Sequence, residues 1–238
     1  MVVPVRKGLT VSLGALVALL VLLVGFGLGI LPAAVGLACG VALCAVVARG
    51  LAATGAGALG PADVVTLTRA VLGCVLAALE VDTPLGQPLG SVVVPLAVLA
   101  LVLDAVDGRV ARATGTATAF GARFDGEADA FLILVLSVHV APSYGWWVLA
   151  IGAARYAFGL GGWVWPWLRR PLPFRYWRKV VTAVQGMTLA VAAAGALPRT
   201  ATYAALVAAL ALLTESFGRD VGWSWRHRSA RRTLLPVP

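Results

Sequence analysis

Long runs of Leu, Val, Ala and Gly alternate with short polar or basic stretches along this chain of 238 residues. Most runs approach the length of about 20 residues that a helix needs to cross a bilayer. The apolar windows predict eight helices, at 9–30, 32–48, 62–80, 91–107, 124–141, 145–163, 180–197 and 200–218. The first follows a basic start and superficially suggests a signal peptide. Its apolar run of about 20 residues is longer than a signal core, and a second span follows directly, so it reads as a retained helix. The small-residue stretch "GLAATGAGALGPA" (50–62) then separates the first two spans from the other six. The expected organisation is two N-terminal transmembrane helices (1–50), a linker or interfacial segment (51–61), a six-helix body (62–218) and a basic tail (219–238). The expected fold class is an all-α integral membrane protein.

Composition agrees with that pattern: 61% of residues are hydrophobic and only 12% charged, about half the charge of a soluble domain. The net charge is +9, and the basic residues decide orientation. Arg6, Lys7, Arg49, Arg109, Arg112, Arg123, Arg169, Arg170, Arg175, Arg178, Lys179 and the basic tail fall on one side, whereas the opposite loops carry only Arg199. The positive-inside rule places both termini and the segment 103–131 on the cytoplasmic side of a multi-pass protein of the cell membrane. All eight tryptophans fall near span ends, as an aromatic belt does. The excess charge therefore points to cytoplasmic loops and anionic lipid rather than to nucleic acid. Cys39, Cys44 and Cys74 lie in apolar runs without a CxxC pair, so they read as packing residues.

One stretch breaks the apolar logic. "LDAVDGRVARATGTATAFGARFDGEADAF" (103–131) holds five of the ten acidic residues, at a depth where a carboxylate is costly. Asp104 and Asp107 are i and i+3 at the end of the fourth predicted helix. Asp125 and Asp129 are i and i+4 in the first turns of the fifth, so each pair shares a helix face. A short connection suggests two adjacent antiparallel helices presenting four carboxylates to one cavity. Such a group repels itself without cations, and oxygen-only donors select Mg2+, Mn2+ or Ca2+. Paired cations of this kind neutralise phosphate oxygens during displacement. Glu127 points off this face, towards a solvated or Arg-paired position.

The set Asp104, Asp107, Gly108, Ala111, Arg112, Gly121, Asp125 and Asp129 resembles, at all eight positions, the signature of the CDP-alcohol phosphotransferases of phospholipid synthesis. "ADVVTLTR", with Asp63, Thr66 and Arg69, is similar to the Pro-Asn-x-x-Thr-x-x-Arg opening of that family's first core helix; Ala62 and Asp63 replace Pro and Asn. "KVVTAVQ", with Lys179, Thr182 and Gln185, is similar to a later helix, with Val181 replacing a second Lys. The resemblance covers 62 to about 218 and implies a six-helix core, usually dimeric. It implies that Asp104, Asp107 and Asp125 hold two divalent cations, Mg2+ or Mn2+, and that Asp129 is the general base and also a ligand. Asp63, Thr66, Gly108, Ala111, Arg112 and Gly121 are expected around the cytidine nucleotide. The implied partners are a CDP-linked lipid donor, above all CDP-diacylglycerol, and an alcohol acceptor.

Arg155 lies within an apolar span, where a guanidinium should face a cavity or an acid. With Arg178 and Lys179 it forms the expected acceptor-binding set, favouring a phosphorylated polyol such as glycerol 3-phosphate or inositol phosphate. Two other readings compete. An intramembrane prenyltransferase also uses Mg-pyrophosphate, but leaves Gly108, Ala111 and Arg112 unexplained. A cation transporter would set its acids near the bilayer midplane rather than at one level.

Overall fold

The computed structural model describes residues 3–54, 59–82, 90–115, 118–169 and 176–227. Among them it is all helical: α1 (Val3–Gly25), α2 (Ile30–Thr54), α3 (Pro61–Asp82), α4 (Gly90–Thr114), α5 (Ala119–Tyr144), α6 (Leu149–Val164), α7 (Tyr176–Ala194) and α8 (Arg199–Arg226), with 3-10 turns at Trp146–Val148 and Pro166–Arg169. The chain is an all-α integral membrane protein. Helices α2, α3 and α8 are each long and apolar enough to cross a membrane. In α4 and α5 the aspartates interrupt the apolar run.

The helices form two four-membered rings with a common wall. One closes through α3, α4, α7 and α5; the other closes through α5, α6, α8 and α7. The common wall is the α5–α7 contact. α4 and α5 are thus not the flush antiparallel pair that their short connection suggested: α3 and α7 lie between them. A tight loop fixes only the ends of two helices, and the apolar faces choose the neighbours. Leu76 of α3, Val93 and Ala97 of α4, Leu136 of α5 and Leu189 of α7 meet in one buried cluster.

The N-terminal pair packs on the outer side of α3. Leu19 and Leu23 of α1 meet Val71, Cys74, Val75 and Ala78 of α3. Val47 of α2 meets Leu67 and the stacked rings of Phe120 and Phe124, 5.8 Å apart. α3 is consequently the innermost helix: 61% of its apolar window is buried, against 22% for α2 and 28% for α8.

Several predicted ends move. α2 runs to Thr54, into the expected linker, and α4 runs to Thr114, into the expected loop. α8 extends to Arg226, so residues 219–226 of the expected tail are helix, while 228–238 lie outside the described residues. The buried stripe Thr202, Leu206, Ala209, Leu213, Ser216, Asp220, Ser224 keeps the helical period past the point where hydropathy falls.

Close approach of α5 and α6 depends on Gly152. A Cβ there would lie 2.6 Å from Leu134 Cα, a backbone atom. Gly159, on the same helix, has nothing within 4 Å of the corresponding position. Gly152→Ala is expected to lower stability by about 1–3 kcal/mol through overpacking. Gly159→Ala should be neutral or stabilising by up to about 1 kcal/mol, from the lower conformational entropy of alanine. Thermal melts of both variants in detergent check the contrast, and equal effects would contradict it.

Candidate active site

α3 starts with Pro61, whose fixed φ suits a first helical position. Asp63 Oδ2 accepts a hydrogen bond of 2.8 Å from the Gly60 N–H, the return half of a capping box. This fixes the first turn, and the next residues on that face, Thr66 and Arg69, point into the ring. α5 is fixed in the same way: Thr118 Oγ1 accepts from the Gly121 N–H at 2.9 Å. The two capped starts adjoin, because a Cβ on Gly121 would lie 2.6 Å from Asp63 Oδ1 and 3.1 Å from Thr118 Oγ1.

Arg69 occupies the centre of the ring, with its side chain 1% exposed. One terminal nitrogen, Nη1, pairs with Asp104 Oδ1 of α4 and with Asp129 Oδ1 of α5, the latter at 2.9 Å. The other, Nη2, hydrogen-bonds Asp125 Oδ1 of α5 and lies 3.6 Å from Asp107 Oδ2 of α4. Thr66 Oγ1 stands 3.1 Å from the same Asp107 oxygen. One guanidinium therefore joins four carboxylates carried by two helices that do not pack on each other.

Three of these residues also form a compact oxygen cluster. Asp104, Asp107 and Asp125 each offer one carboxylate oxygen within 4.8 Å of the others. A donor set of hard oxygens alone suits a hard divalent cation better than zinc or copper. Asp129 is outside that triplet and faces the second ring. There it lines a cavity of about 140 Å3 together with Ile133, Ile151, Arg155, Arg178 and Gln185. The expected sites for metal and acceptor thus share a boundary at Asp129.

The cations of the expected acceptor set divide. Arg155 lines the cavity and pairs with Glu127 at 2.6 Å, so Glu127 is the Arg-paired acid its position suggested. Arg178 also lines it and pairs with Asp220 at 3.2 Å. Lys179 is exposed on the first turn of α7 and does not border the cavity, though its charge acts on Asp125. Gly108 sits one residue after buried Asp107, on the same helix end. The side chains of Ala111 and Arg112 lie outside the described residues; their backbone belongs to the last turns of α4.

Two residues matter more than sequence reasoning suggested. Arg69 entered only as the end of a motif, yet all four aspartates converge on it. Asp220 falls in the expected tail, yet it is 5% exposed inside the second ring. Its i, i+4 relation to Ser216 and Ser224 was the available signal.

The family model for CDP-alcohol phosphatidyltransferases matches residues 59–215, about two thirds of the chain. The chain belongs to this family. No curated protein and no solved structure matches it. Members transfer a phosphate-linked group from a CDP-alcohol, so this membrane protein is a transferase of that general kind. The matched segment spans α3 to most of α8 and includes every residue around Arg69. α1, α2 and Asp220 lie beyond it.

In Gly121→Ala the new methyl group pushes Asp63 away from the Gly60 amide, which should lower stability by about 1 kcal/mol, the usual loss for a cap. Because both changes remove one interaction, Asp63→Ala combined with Gly121→Ala should destabilise little more than Asp63→Ala alone. Additive falls in the thermal midpoint would show that Gly121 does not act through Asp63.

Proposed function

We propose that the protein transfers a phosphatidyl group from CDP-diacylglycerol to a small phosphorylated polyol, releasing CMP. The observation that carries this reading is the position of Asp129, which pairs with Arg69, the centre of the carboxylate group, on one side and lines the Arg155–Arg178 cavity on the other. A base that removes a proton from the acceptor while the donor's pyrophosphate is held nearby belongs at such a boundary.

In this reading the acceptor's hydroxyl oxygen attacks the phosphorus that carries the diacylglycerol. A new P–O bond forms, the bond to the CMP oxygen breaks, and the hydroxyl proton passes to the Asp129 carboxylate. Asp104, Asp107 and Asp125, with Asp129 contributing, are the residues to hold two divalent cations, Mg2+ or Mn2+, which when bound supply charge neutralisation at the pyrophosphate oxygens. Thr66, Asp63, Gly108, Ala111, Arg112 and Gly121 are the residues assigned to the nucleotide; the space beside Gly121 is held by the Asp63 carboxylate.

Arg155 and Arg178 support a phosphorylated acceptor. Both line the cavity, and each is matched by a carboxylate, Glu127 or Asp220. Arg can receive a phosphate through charge-assisted pairs, and the incoming phosphate would take the place of an acid already there. Lys179 joins them as a more distant cation. The clustering of acids at one end of the bundle disfavours a transporter. That end is assigned to the cytoplasm by the arginine distribution, and assembly as a homodimer rests on the resemblance.

Three variants test the assignment in purified protein, with CMP release as readout. Asp107→Asn, like EDTA on the wild type, should abolish turnover. Asp129→Asn should lower turnover by about 10²–10⁴, the range for a lost general base, while calorimetry still detects the CDP-linked donor. Arg155→Ala should raise the KM for glycerol 3-phosphate or inositol phosphate by about tenfold or more, with the donor KM little changed. Full activity in EDTA, or preference for a neutral alcohol with unchanged acceptor KM in Arg155→Ala, would reject the corresponding part.

A further inference from the structure

Four carboxylates and one guanidinium are gathered in a ring of apolar helices, and the geometry around the guanidinium is unusual in two ways. Arg69 lies on α3, and each of its two terminal nitrogens faces one acid of α4 and one of α5. Its buried Nε–H, meanwhile, finds no hydrogen-bond partner among the described residues. The side chain leaves one donor unsatisfied, which is costly in a buried position, while both terminal nitrogens stay on carboxylates.

We propose that Arg69 is a positioning residue acting as an internal counter-cation: it holds Asp104, Asp107, Asp125 and Asp129 together when no divalent ion is bound, and it competes with divalent ions for the same oxygens. This rests on the reading that the aspartate group takes such ions. In a medium of low polarity, like charges a few ångströms apart repel strongly, and α4 and α5 have no extensive mutual packing to resist separation. Arg69 compensates one of the four charges and contacts the oxygens that an ion would use. Its presence therefore stabilises the ion-free fold and weakens ion binding, two effects linked by one thermodynamic cycle.

The linkage gives opposite signs for two measurements on the full chain in detergent. Arg69→Gln should melt several degrees below the wild type in EDTA and recover most of that loss in saturating Mn2+. By the same cycle its Mn2+ affinity, from titration of the free-ion EPR signal, should be about tenfold tighter than the wild type's, within the usual range of coupling between two ligands. Arg69→Lys, which keeps the charge, should lie near the wild type in both. If Arg69→Gln does not fold in EDTA, adding Asp104→Asn should restore folding by removing one repelling charge, and failure to do so overturns the proposal.

A merely structural arginine gives a different pattern: equal loss of thermal midpoint with and without Mn2+, and unchanged or weaker Mn2+ binding. That pattern overturns the counter-cation role and leaves the cation site standing. Absence of Mn2+ binding to the wild type would overturn the cation reading and this proposal together.

Discussion

A single guanidinium surrounded by four carboxylates, buried among apolar helices, is the constraint that the rest of the structure serves. Charges removed from water are tolerated only where they are paired with good geometry, and here the pairs come from three helices at once. The start of α3 must therefore be fixed in rotation, which Asp63 and Gly60 do. The start of α5 must be fixed likewise, through Thr118. Glycines supply close contacts where the rings tighten: a Cβ on Gly73 would lie 3.0 Å from the Phe131 ring, and one on Gly186 would lie 3.0 Å from Leu101. These are the approaches of α3 to α5 and of α4 to α7.

The two-ring arrangement separates kinds of chemistry. The first ring is acidic and centred on a cation. The second carries two arginines, each beside an acid, above a lining of Ile133, Ile151, Leu213 and Phe217. α5 borders both, and its Asp125 and Asp129, one turn apart, face different neighbours. Asp125 joins the oxygen cluster, and Asp129 reaches into the second compartment. A four-residue step along one helix thus divides two identical carboxyl groups between two surroundings.

What could be read from sequence followed the range of the forces involved. The i, i+3 and i, i+4 spacings of the aspartates are local properties of a helix, and those residues do converge. The all-α membrane fold follows from hydropathy averaged over long windows. Adjacency of α4 and α5 was misjudged because a short loop constrains helix ends and not packing partners. Arg69 looked ordinary because its importance lies in residues 35 to 60 positions away. The end of α8 was misplaced because a hydropathy window reads Ser216, Asp220 and Ser224 as polar surface. Their helical period shows a buried stripe, and the period persists where the hydropathy does not.

The N-terminal helices have a mechanical consequence. With α1 and α2 on one side and α4 and α5 on the others, no residue of α3 between Arg69 and Glu80 is exposed. Helices that border lipid adjust to bilayer thickness by tilting or sliding at small energetic cost. α3 is largely covered by its neighbours along that stretch, so tilting it would move them as well. The helix that carries Arg69 is shielded from elastic deformation of the surrounding membrane, and strain from a thicker or thinner bilayer falls on the outer helices instead.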